Sequence, residues 1–342
     1  MKNNSGRIFL KIILVLLILV LILGIGGYAF YNWYINNKLE KIQYVEVSEN
    51  EIEITPIVEE QLEEYRNILL FGLDARADTF SDSRSDCIML ITINNKTKDV
   101  NLTSIYRDTY LDINGSLDKI THAYAYGGAV LTMNTLNKNL DLNVKEFVTI
   151  NFDSVVAVVD AVGGVQIPIT SAEIKYINGY INEINKVTGH NSSHITSPGT
   201  YNLDGVQALA YGRIRYTEGG DYKRTERMRD VLTATFAKAK TKSVAELNSL
   251  LDLLLPHVYT NVSKDEITKL IPQAFSFNIK NSIGWPYITK GITLDRWYGV
   301  PITLEENVVR MHKELFGEED YIVSNTVKSI SNRIVNKTGY KN

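Results

Sequence analysis

The sequence of 342 residues predicts an α/β fold, in which helices cover a central β-sheet. From residue 65 onward, apolar runs of strand length alternate with segments whose apolar residues recur at helical spacing. Hydrophobic residues make up 44% of the chain, which is enough to bury a sizeable core. The formal net charge of −3 gives no reason to expect bulk binding to nucleic acid, so we expect no nucleic-acid partner.

The N-terminus has the pattern of a membrane anchor. Basic residues precede residues 12–23, which are all apolar, and a Gly-rich extension brings this stretch to about 20 residues. Because no small-residue cleavage site follows, an uncleaved helix is favoured over a signal peptide. We therefore expect a cytoplasmic tail over residues 1–11, one transmembrane helix over residues 12–34, and an extracellular location for the rest of the chain.

Short-range patterns predict most of the strands. NILLFGLD (67–74) is typical of a buried strand that enters a loop. CIMLITINNKTKDVNLTSI (87–105) contains two β-rich runs around NNKTKD, which predicts a hairpin. Residues 119–140 have helical spacing in their second half. Residues 146–169 predict a strand, a short helix, a turn and a strand, with Asp153 as the candidate helix cap.

Further along the chain, capping residues and polarity guide the predictions. Residues 170–200 are polar and are predicted to form a loop. LDGVQALAYG (203–212) predicts a helix with Asp204 as its N-cap and Gln207 completing a capping box. The remaining helical predictions are residues 225 to about 275 and residues 305–316.

Several familiar catalytic motifs do not occur in the sequence, including HExxH, GxSxG and the Walker loop. His190 and His194 have no acidic or cysteine neighbour, so a solvated loop is favoured there over a zinc site. Cys87, the single cysteine, opens an apolar strand, which favours a buried, inert thiol over a nucleophile. Residues 284–301 are rich in glycine and aromatic residues, and a packed loop is favoured there over a sugar-binding platform.

Acidic residues stand at the predicted strand ends, where functional groups tend to collect. Asp74 ends one strand, Asp86 opens the next, and Arg107-Asp108 follows the third. Two carboxylates on neighbouring loops can share a divalent cation, and Mg²⁺ suits such a site because it also accepts phosphate oxygens. On spacing alone, the alternative that these acids cap turns is favoured.

Arginines are concentrated in YGRIRYTEGGDYKRTER, residues 211–227. Like charges at helical spacing repel by about 0.2–0.5 kcal/mol, so the grouping suggests that an anion offsets the repulsion. Planar guanidinium groups suit bidentate phosphate recognition, and two further arginines near the candidate acids complete the pattern of a diphosphate clamp. A surface network of salt bridges to Glu218, Asp221 and Glu226 is the alternative. The arginines of the candidate clamp are Arg84, Arg107, Arg213, Arg215, Arg224 and Arg227.

Seven sequence blocks occur in a familiar order: ILLFGLDAR, SRSDCIML, TSIYRDTYL, DKITHAYAYGG, VVDAVGGVQI, LDGVQALAYGRIRY and GGDYKRTER. Over about residues 66–240 they resemble the LytR-CpsA-Psr family. The resemblance implies an α/β/α sandwich with a central mixed sheet, preceded by the transmembrane helix, and a hydrophobic tunnel for a lipid tail. It implies a catalytic domain over residues 66–240. The polar residues 35–65 would then be an extracellular stalk, and residues 241–342 a C-terminal helical region on the same domain.

The same resemblance implies a phosphotransferase of Gram-positive cell wall biogenesis. Such enzymes move an anionic glycopolymer, such as a teichoic acid, from a polyprenyl pyrophosphate carrier onto peptidoglycan through a phosphodiester bond. The implied cofactor is Mg²⁺, with Asp74 and Asp86 as its ligands. Asp86 and Asp108 are both candidates for the general base. The implied catalytic residues are Asp74, Asp86, Arg107 and Asp108, and the implied pyrophosphate-binding residues are Arg84, Arg107, Arg213, Arg215, Arg224 and Arg227.

Three positions depart from the family pattern, but none removes a charged group. Tyr106 stands where a proline is usual, and Met228 where a glutamine is usual, which puts a polar contact near the phosphates in doubt. Cys87 stands where a threonine is usual. Two other functions stay open: a polyprenyl-pyrophosphate hydrolase, and a non-catalytic protein that binds wall polymers or regulates their attachment.

Overall fold

The computed structural model describes residues 33–73 and 85–341. Most of the predicted anchor, together with Asp74 and Arg84, lies outside these residues. Within the described ranges, no helix combines the length and the apolar character needed to cross a membrane.

The described part of the chain forms thirteen β-strands and a set of helices. The strands are β1 (Gln43–Tyr44), β2 (Tyr65–Leu73), β3 (Ser85–Asn94), β4 (Asp99–Ile105), β5 (Tyr110–Ile113), β6 (Ser116–Lys119), β7 (Glu146–Asn151), β8 (Val165–Ile169), β9 (Gly199–Leu203), β10 (Val258–Thr260), β11 (Asn278–Trp285), β12 (Thr289–Thr293) and β13 (Trp297–Pro301). The α-helices that we number are α1 (Pro56–Gln61), α2 (Ile120–Leu140), α3 (Phe152–Ala161), α4 (Ser171–Thr188), α5 (Gly205–Gly212), α6 (Gly220–Ala239), α7 (Val244–Leu254), α8 (Lys264–Leu270), α9 (Leu304–Phe316) and α10 (Asn325–Thr338).

The central sheet has seven strands in the order β1-β10-β7-β2-β3-β4-β11. Strand β2 pairs with β7 in parallel and with β3 antiparallel, so the sheet is mixed, as expected. β3 and β4 form the predicted hairpin. β4 also pairs in parallel with β11, which adds a strand from the C-terminal part of the chain to the far edge.

Both faces of the sheet are covered, which gives the expected sandwich. Successive side chains of a strand point to opposite faces. Leu69 and Phe71 of β2 therefore pack into the main core, where they meet α1, α2, α9 and α10. Ile68 belongs to a separate cluster on the other face, against Met228 and Leu232 of α6.

Two capping predictions can be compared with the structure. The side chain of Asp204 accepts a hydrogen bond from the Gln207 amide at 2.8 Å, and Gln207 Oε1 accepts from the Asp204 amide at 3.0 Å, which confirms the capping box. Helix α3 begins two residues earlier than expected, because Asn151 is its N-cap and accepts from the Ser154 amide at 2.9 Å. Asp153 therefore lies inside the helix, and its assignment as the cap was wrong.

The prediction of a loop over residues 170–200 was wrong for its first half, which forms helix α4. Thr170 and Glu173 make a capping box at its start. Ile177, Ile181 and Ile184 recur every three or four residues, and the helix buries them. The polar residues between them face outward, so high overall polarity concealed an amphipathic helix.

The segments on either side of the expected catalytic domain are part of the same folded unit in the structure. In the expected stalk, residues 35–65, β1 pairs with β10 at the sheet edge, and Val58 and Leu62 are buried in the main core. Residues 241–342 contribute helices and also strands β10 to β13. Both segments belong to the folded unit because their apolar side chains are buried against the sheet.

Candidate active site

The site is built around Asp86, the second residue of β3, whose carboxylate faces three guanidinium groups. Arg107 Nη1 donates to Asp86 Oδ1. Arg215 Nη2 lies 3.8 Å from Oδ2, and Arg224 Nη1 lies 4.0 Å from Oδ1. The structure therefore brings together four of the predicted site residues from three separate segments of the chain.

The turn after β4 holds Arg107 in place. The Tyr106 amide donates to the Trp285 carbonyl at 3.0 Å, and the Thr121 amide donates to the Arg107 carbonyl at 3.0 Å. Thr121 Oγ1 also donates to the Ser85 carbonyl at 2.9 Å, which ties the start of α2 to the strand that carries Asp86. Backbone hydrogen bonds on both sides thus fix the Arg107 side chain against Asp86.

A double glycine positions the other two arginines. Gly219 and Gly220 have φ angles of 88° and 53°, a left-handed conformation that glycine adopts without steric cost. This turn leads from the loop that carries Arg215 into helix α6, which carries Arg224. Asp221, in the first turn of α6, lies 3.0 Å from Arg224 Nη2 and 3.8 Å from Arg215 Nε.

Asp221 is therefore a second acid of the site, whereas the sequence pattern places it only in a surface network of salt bridges. Its spacing of three residues before Arg224 was the available signal, because residues three apart share a helix face. That signal becomes informative only once the helix is known to begin at Gly220.

Burial makes this cluster a strong anion site. Arg224 is only 1% exposed. Burial lowers the pKa of Arg224 and of Arg107 from the usual arginine value, and neighbouring arginines add to the effect while nearby acids oppose it. Among the described residues, Arg107 Nε and Arg224 Nε are buried without a hydrogen-bond partner. Because a buried unpaired donor costs about 1–3 kcal/mol, both atoms favour a ligand with acceptor oxygens.

The remaining predicted residues have other partners. Asp108 forms a 2.7 Å ion pair with Lys119. Arg213 lies 3.3 Å from Glu183 and over the ring of Tyr180. Neither contact is to Asp86, so these two residues stay predictions for the site.

Arg227 also contacts a carboxylate other than Asp86. Its Nε donates to Glu173 Oε1 at 2.8 Å, its Nη1 to the Ile214 carbonyl at 3.0 Å and its Nη2 to Thr217 Oγ1 at 2.7 Å. Arg227 thus ties the loop that carries Arg215 to helix α4. These contacts support a positioning role, and direct contact of Arg227 with pyrophosphate stays a prediction.

An apolar cavity of about 290 Å³ lies between the sheet and helices α3, α5, α6 and α7. It lies beside the arginine cluster, because Cys87 lines it and is close enough to Arg224 for the two groups to interact electrostatically. Burial raises the pKa of Cys87 to about 11, as expected for an inert thiol. Met228 also lines this cavity, so this departure from the family pattern is an apolar wall residue. The other lining residues include Leu70, Met89, Val148, Ile150, Val155, Val158, Val159, Val231, Leu232 and Leu254.

Two carboxylates of the described site, Asp86 and Asp221, have the oxygen chemistry that a divalent cation requires. Asp86 and Asp221 both lie within 4.0 Å of Arg215 and Arg224, so the two carboxylates share the same guanidinium neighbours. Carboxylate oxygens are the ligands that Mg²⁺ prefers, and it needs only one or two of them beside phosphate oxygens. Across the described ranges, no three His, Cys, Asp or Glu side chains form a group that could hold a metal ion.

Comparisons with known proteins identify relatives of similar sequence and similar fold. The chain is 32% identical over 277 residues to the polyisoprenyl-teichoic acid–peptidoglycan teichoic acid transferase TagT of Bacillus subtilis (strain 168), covering 78% of this chain and 82% of the relative. The structure of TagT bound to LI-WTA is similar with a TM-score of 0.58 and 29% identity, over 75% of this chain and 92% of that chain.

A second solved structure, of the LytR-CPS2A-psr family protein YwtF (TagT) with bound octaprenyl pyrophosphate lipid, has a TM-score of 0.54 and 28% identity. That similarity also covers 75% of this chain and 92% of the other. The sequence profile described as LytR_cpsA_psr family matches residues 29–284, which is more than half of the chain. The resemblance noted in the sequence is thereby confirmed, and the chain belongs to the LytR_cpsA_psr family.

Proposed function

We propose that this protein transfers an anionic glycopolymer from a polyprenyl pyrophosphate carrier onto peptidoglycan. The chain is an enzyme of the phosphotransferase type, like the transferases to which it is similar. One observation carries the proposal: a buried arginine cluster with unpaired Nε donors adjoins an apolar cavity. A pyrophosphate attached to a polyprenyl chain has the same two parts, an anionic head and an apolar tail.

The reaction is a displacement at phosphorus. The acceptor hydroxyl oxygen forms a bond to the phosphorus that carries the glycan, and the bond from that phosphorus to the bridging pyrophosphate oxygen breaks. The products are a glycan–peptidoglycan phosphodiester and polyprenyl phosphate. Arg107, Arg215 and Arg224 offset the negative charge that develops on the leaving phosphate, and their fixed positions avoid reorganisation during the reaction.

Mg²⁺ is the cofactor that we propose, and when bound it would polarise phosphate oxygens and neutralise charge on the pyrophosphate. Asp86 and Asp221 are the described residues that would hold it. Asp74, the other proposed ligand, lies outside the described residues.

The proton of the acceptor hydroxyl passes to a carboxylate, and two candidates remain. Asp86 lies inside the arginine cluster, whereas Asp108 is paired with Lys119 at 2.7 Å. Exchanging each for asparagine separates them, because the base variant loses the acid limb of the pH–rate profile.

We also propose that the chain is anchored in the cell membrane by residues 12–34, with its catalytic domain outside. The apolar run and the basic residues that precede it support this location. A membrane location suits a substrate whose lipid tail resides in the bilayer.

The test uses the full-length chain in detergent, a polyprenyl-pyrophosphate glycan and a peptidoglycan oligomer, with and without Mg²⁺. Mass spectrometry follows the products. We expect a phosphodiester-linked adduct that requires Mg²⁺ and is lost in Arg107→Ala. Arg296→Ala is the matched control, because Arg296 is exposed and pairs with its neighbour Asp295 at 2.9 Å.

Other outcomes would overturn the proposal. Release of glycan phosphate without any adduct would identify a hydrolase. Lipid binding without turnover, unaffected by Mg²⁺, would indicate a protein that binds wall polymers.

A further inference from the structure

A second cavity, of about 480 Å³, is lined in part by Tyr106, the residue that precedes Arg107 of the arginine cluster. It lies between helix α6, the end of β11 and helix α9. Its lining is polar and includes two arginines, three acids and two tyrosines. The lining residues used below are Tyr106, Glu226, Arg229, Asp230, Tyr287, Arg310 and Glu314.

Arg229 forms the floor of this cavity and has unused hydrogen-bonding capacity. It is only 5% exposed. Its Nε donates to Ser282 Oγ at 3.1 Å, whereas its Nη1 is buried without a hydrogen-bond partner among the described residues. A buried guanidinium that lacks a partner favours a ligand that brings an acceptor oxygen.

The opposite end of the cavity is open to solvent. Arg310 is half exposed and pairs with Glu314 at 2.7 Å. Its guanidinium lies over the Tyr287 ring, 4.3 Å from the ring centroid. A large ligand can therefore enter from this rim and reach the buried Arg229.

The charge of the lining identifies the class of ligand. Glu226, Asp230 and Glu314 outnumber Arg229 and Arg310, so the cavity repels an anionic polymer and accepts a neutral one. Carboxylates and guanidinium groups together bind hydroxyl and amide groups, which both donate and accept hydrogen bonds. The aromatic faces of Tyr106 and Tyr287 offer apolar contact area beside these polar groups.

The cavity also adjoins the reacting groups. Tyr106 lines it and directly precedes Arg107, and consecutive Cα atoms are about 3.8 Å apart. The Tyr106 ring contacts the Tyr222 ring at a centroid distance of 4.3 Å, and Tyr222 follows Asp221. An oligosaccharide in the cavity would therefore lie beside the two segments that carry Arg107 and Asp221.

We propose that this cavity is the subsite for the acceptor, a neutral N-acetylated hexosamine chain, and that Arg229 binds one of its hydroxyl or amide oxygens. The assignment rests on the proposed function, because only a transfer reaction needs a second carbohydrate. The sugars of the donor are the competing occupant, and the acidic lining disfavours them.

The test measures binding by calorimetry on the full-length chain, without donor, using N-acetylglucosamine tetrasaccharide. We expect Arg229→Gln to weaken this binding about tenfold, the effect of losing one charge-assisted hydrogen bond. Arg310→Gln, at the exposed rim, should weaken tetrasaccharide binding as well. Because Arg310 is exposed, this variant tests the cavity even if the buried variant Arg229→Gln fails to fold. Lys280→Gln is the control, because Lys280 lies on β11 outside the cavity and is 61% exposed.

Steady-state kinetics then separate this inference from the proposed function. In both cavity variants the KM for peptidoglycan oligomer rises, while the affinity for octaprenyl pyrophosphate stays unchanged. Tetrasaccharide binding that is lost in the variants supports the subsite even if no transfer is found. Unchanged binding in both variants, or Arg229-dependent binding of poly(glycerol phosphate) in its place, overturns the acceptor assignment.

Discussion

Arg227 and Glu173 form a salt bridge of 2.8 Å in which both side chains are almost fully buried. The pair joins helix α6 to the start of helix α4, and the same guanidinium also holds the Ile214 carbonyl and Thr217. The loop between these two contacts carries Arg215. Arg227 therefore fixes the position of Arg215, which faces Asp86, although Arg227 itself pairs with Glu173.

Removing one partner of this salt bridge leaves a buried charge unpaired. We expect Arg227→Met to lower the free energy of unfolding by about 3–5 kcal/mol, measured by urea denaturation. The double variant Arg227→Met/Glu173→Leu should recover most of this loss, because neither charge remains. Equal losses in the single and double variants would show that the ion pair is not the cause.

The arginines around Asp86 should act on turnover rather than on stability. We expect Arg224→Lys and Arg107→Lys to lower kcat by about 10²–10³, because lysine does not reproduce the planar contacts of a guanidinium group. Single-turnover kinetics with saturating donor measure this loss. A rise in KM alone, with kcat unchanged, would show that these arginines bind substrate and transition state equally well.

The apolar cavity should control binding of the lipid. We expect Val158→Phe, which places a larger side chain in the cavity, to weaken octaprenyl pyrophosphate binding at least tenfold without loss of stability. Soluble pyrophosphate should bind as before, because the arginine cluster is untouched. Val187→Phe is the control, since Val187 is exposed on α4. Unchanged lipid affinity in Val158→Phe would place the lipid elsewhere.

Gly284 leaves room for the Tyr106 ring. A Cβ atom at position 284 would lie 2.1 Å from Tyr106 Oη and 2.5 Å from its Cζ. We therefore expect Gly284→Ala to lower the free energy of unfolding by about 1–3 kcal/mol. Adding Tyr106→Ala should relieve the clash, so the double variant should lose less than the sum of the single variants in a double-mutant cycle. Strict additivity would contradict this contact.

His312 should make stability fall in mild acid. Burial lowers the pKa of His312 to about 4, from an ordinary value of 6.5. Between these values the unfolded chain binds a proton that the folded chain does not, so stability falls as the pH drops from 6.5 to 4. The slope contributed by this group approaches about 1.4 kcal/mol per pH unit.

The contribution of His312 is isolated by comparing the free energy of unfolding of the unchanged chain with that of His312→Leu. Both are unfolded by heat or urea at pH 6.5, 5.5 and 4.5. The variant loses the hydrogen bond to the Leu140 carbonyl and is less stable at pH 6.5. Its stability should nevertheless depend less on pH. Identical slopes for both proteins would assign the acid sensitivity to other groups.

Local patterns made much of this structure predictable. The strands around NNKTKD and the helix capped by Asp204 depend on neighbouring residues, so the sequence contains their full signal. Helix α4 was missed because Ile177, Ile181 and Ile184 are separated by polar residues, although their spacing is helical. The helical spacing of these isoleucines predicts the helix when that spacing is given more weight than the overall polarity of the segment.

The site was predictable in its residue types but not in its pairings. Arg224 and Arg227 are the same residue three positions apart on one helix, yet one faces Asp86 and the other Glu173. Three residues turn a helix by about 300°, so their side chains diverge by about 60°. Which acid each one meets depends on strands and helices more than 50 residues away in sequence, which local spacing does not encode.

Helix α6 places three kinds of contact on one rigid element. Arg224 faces Asp86, Met228 lines the apolar cavity and Arg229 forms the floor of the polar one. Any rotation or shift of this helix therefore moves the proposed phosphate, lipid and saccharide sites together. A substitution on α6 that changes the preference for one of these groups is therefore expected to alter the binding of the other two. We expect substitutions that tune a single preference to occur on the elements that face α6 rather than on α6 itself.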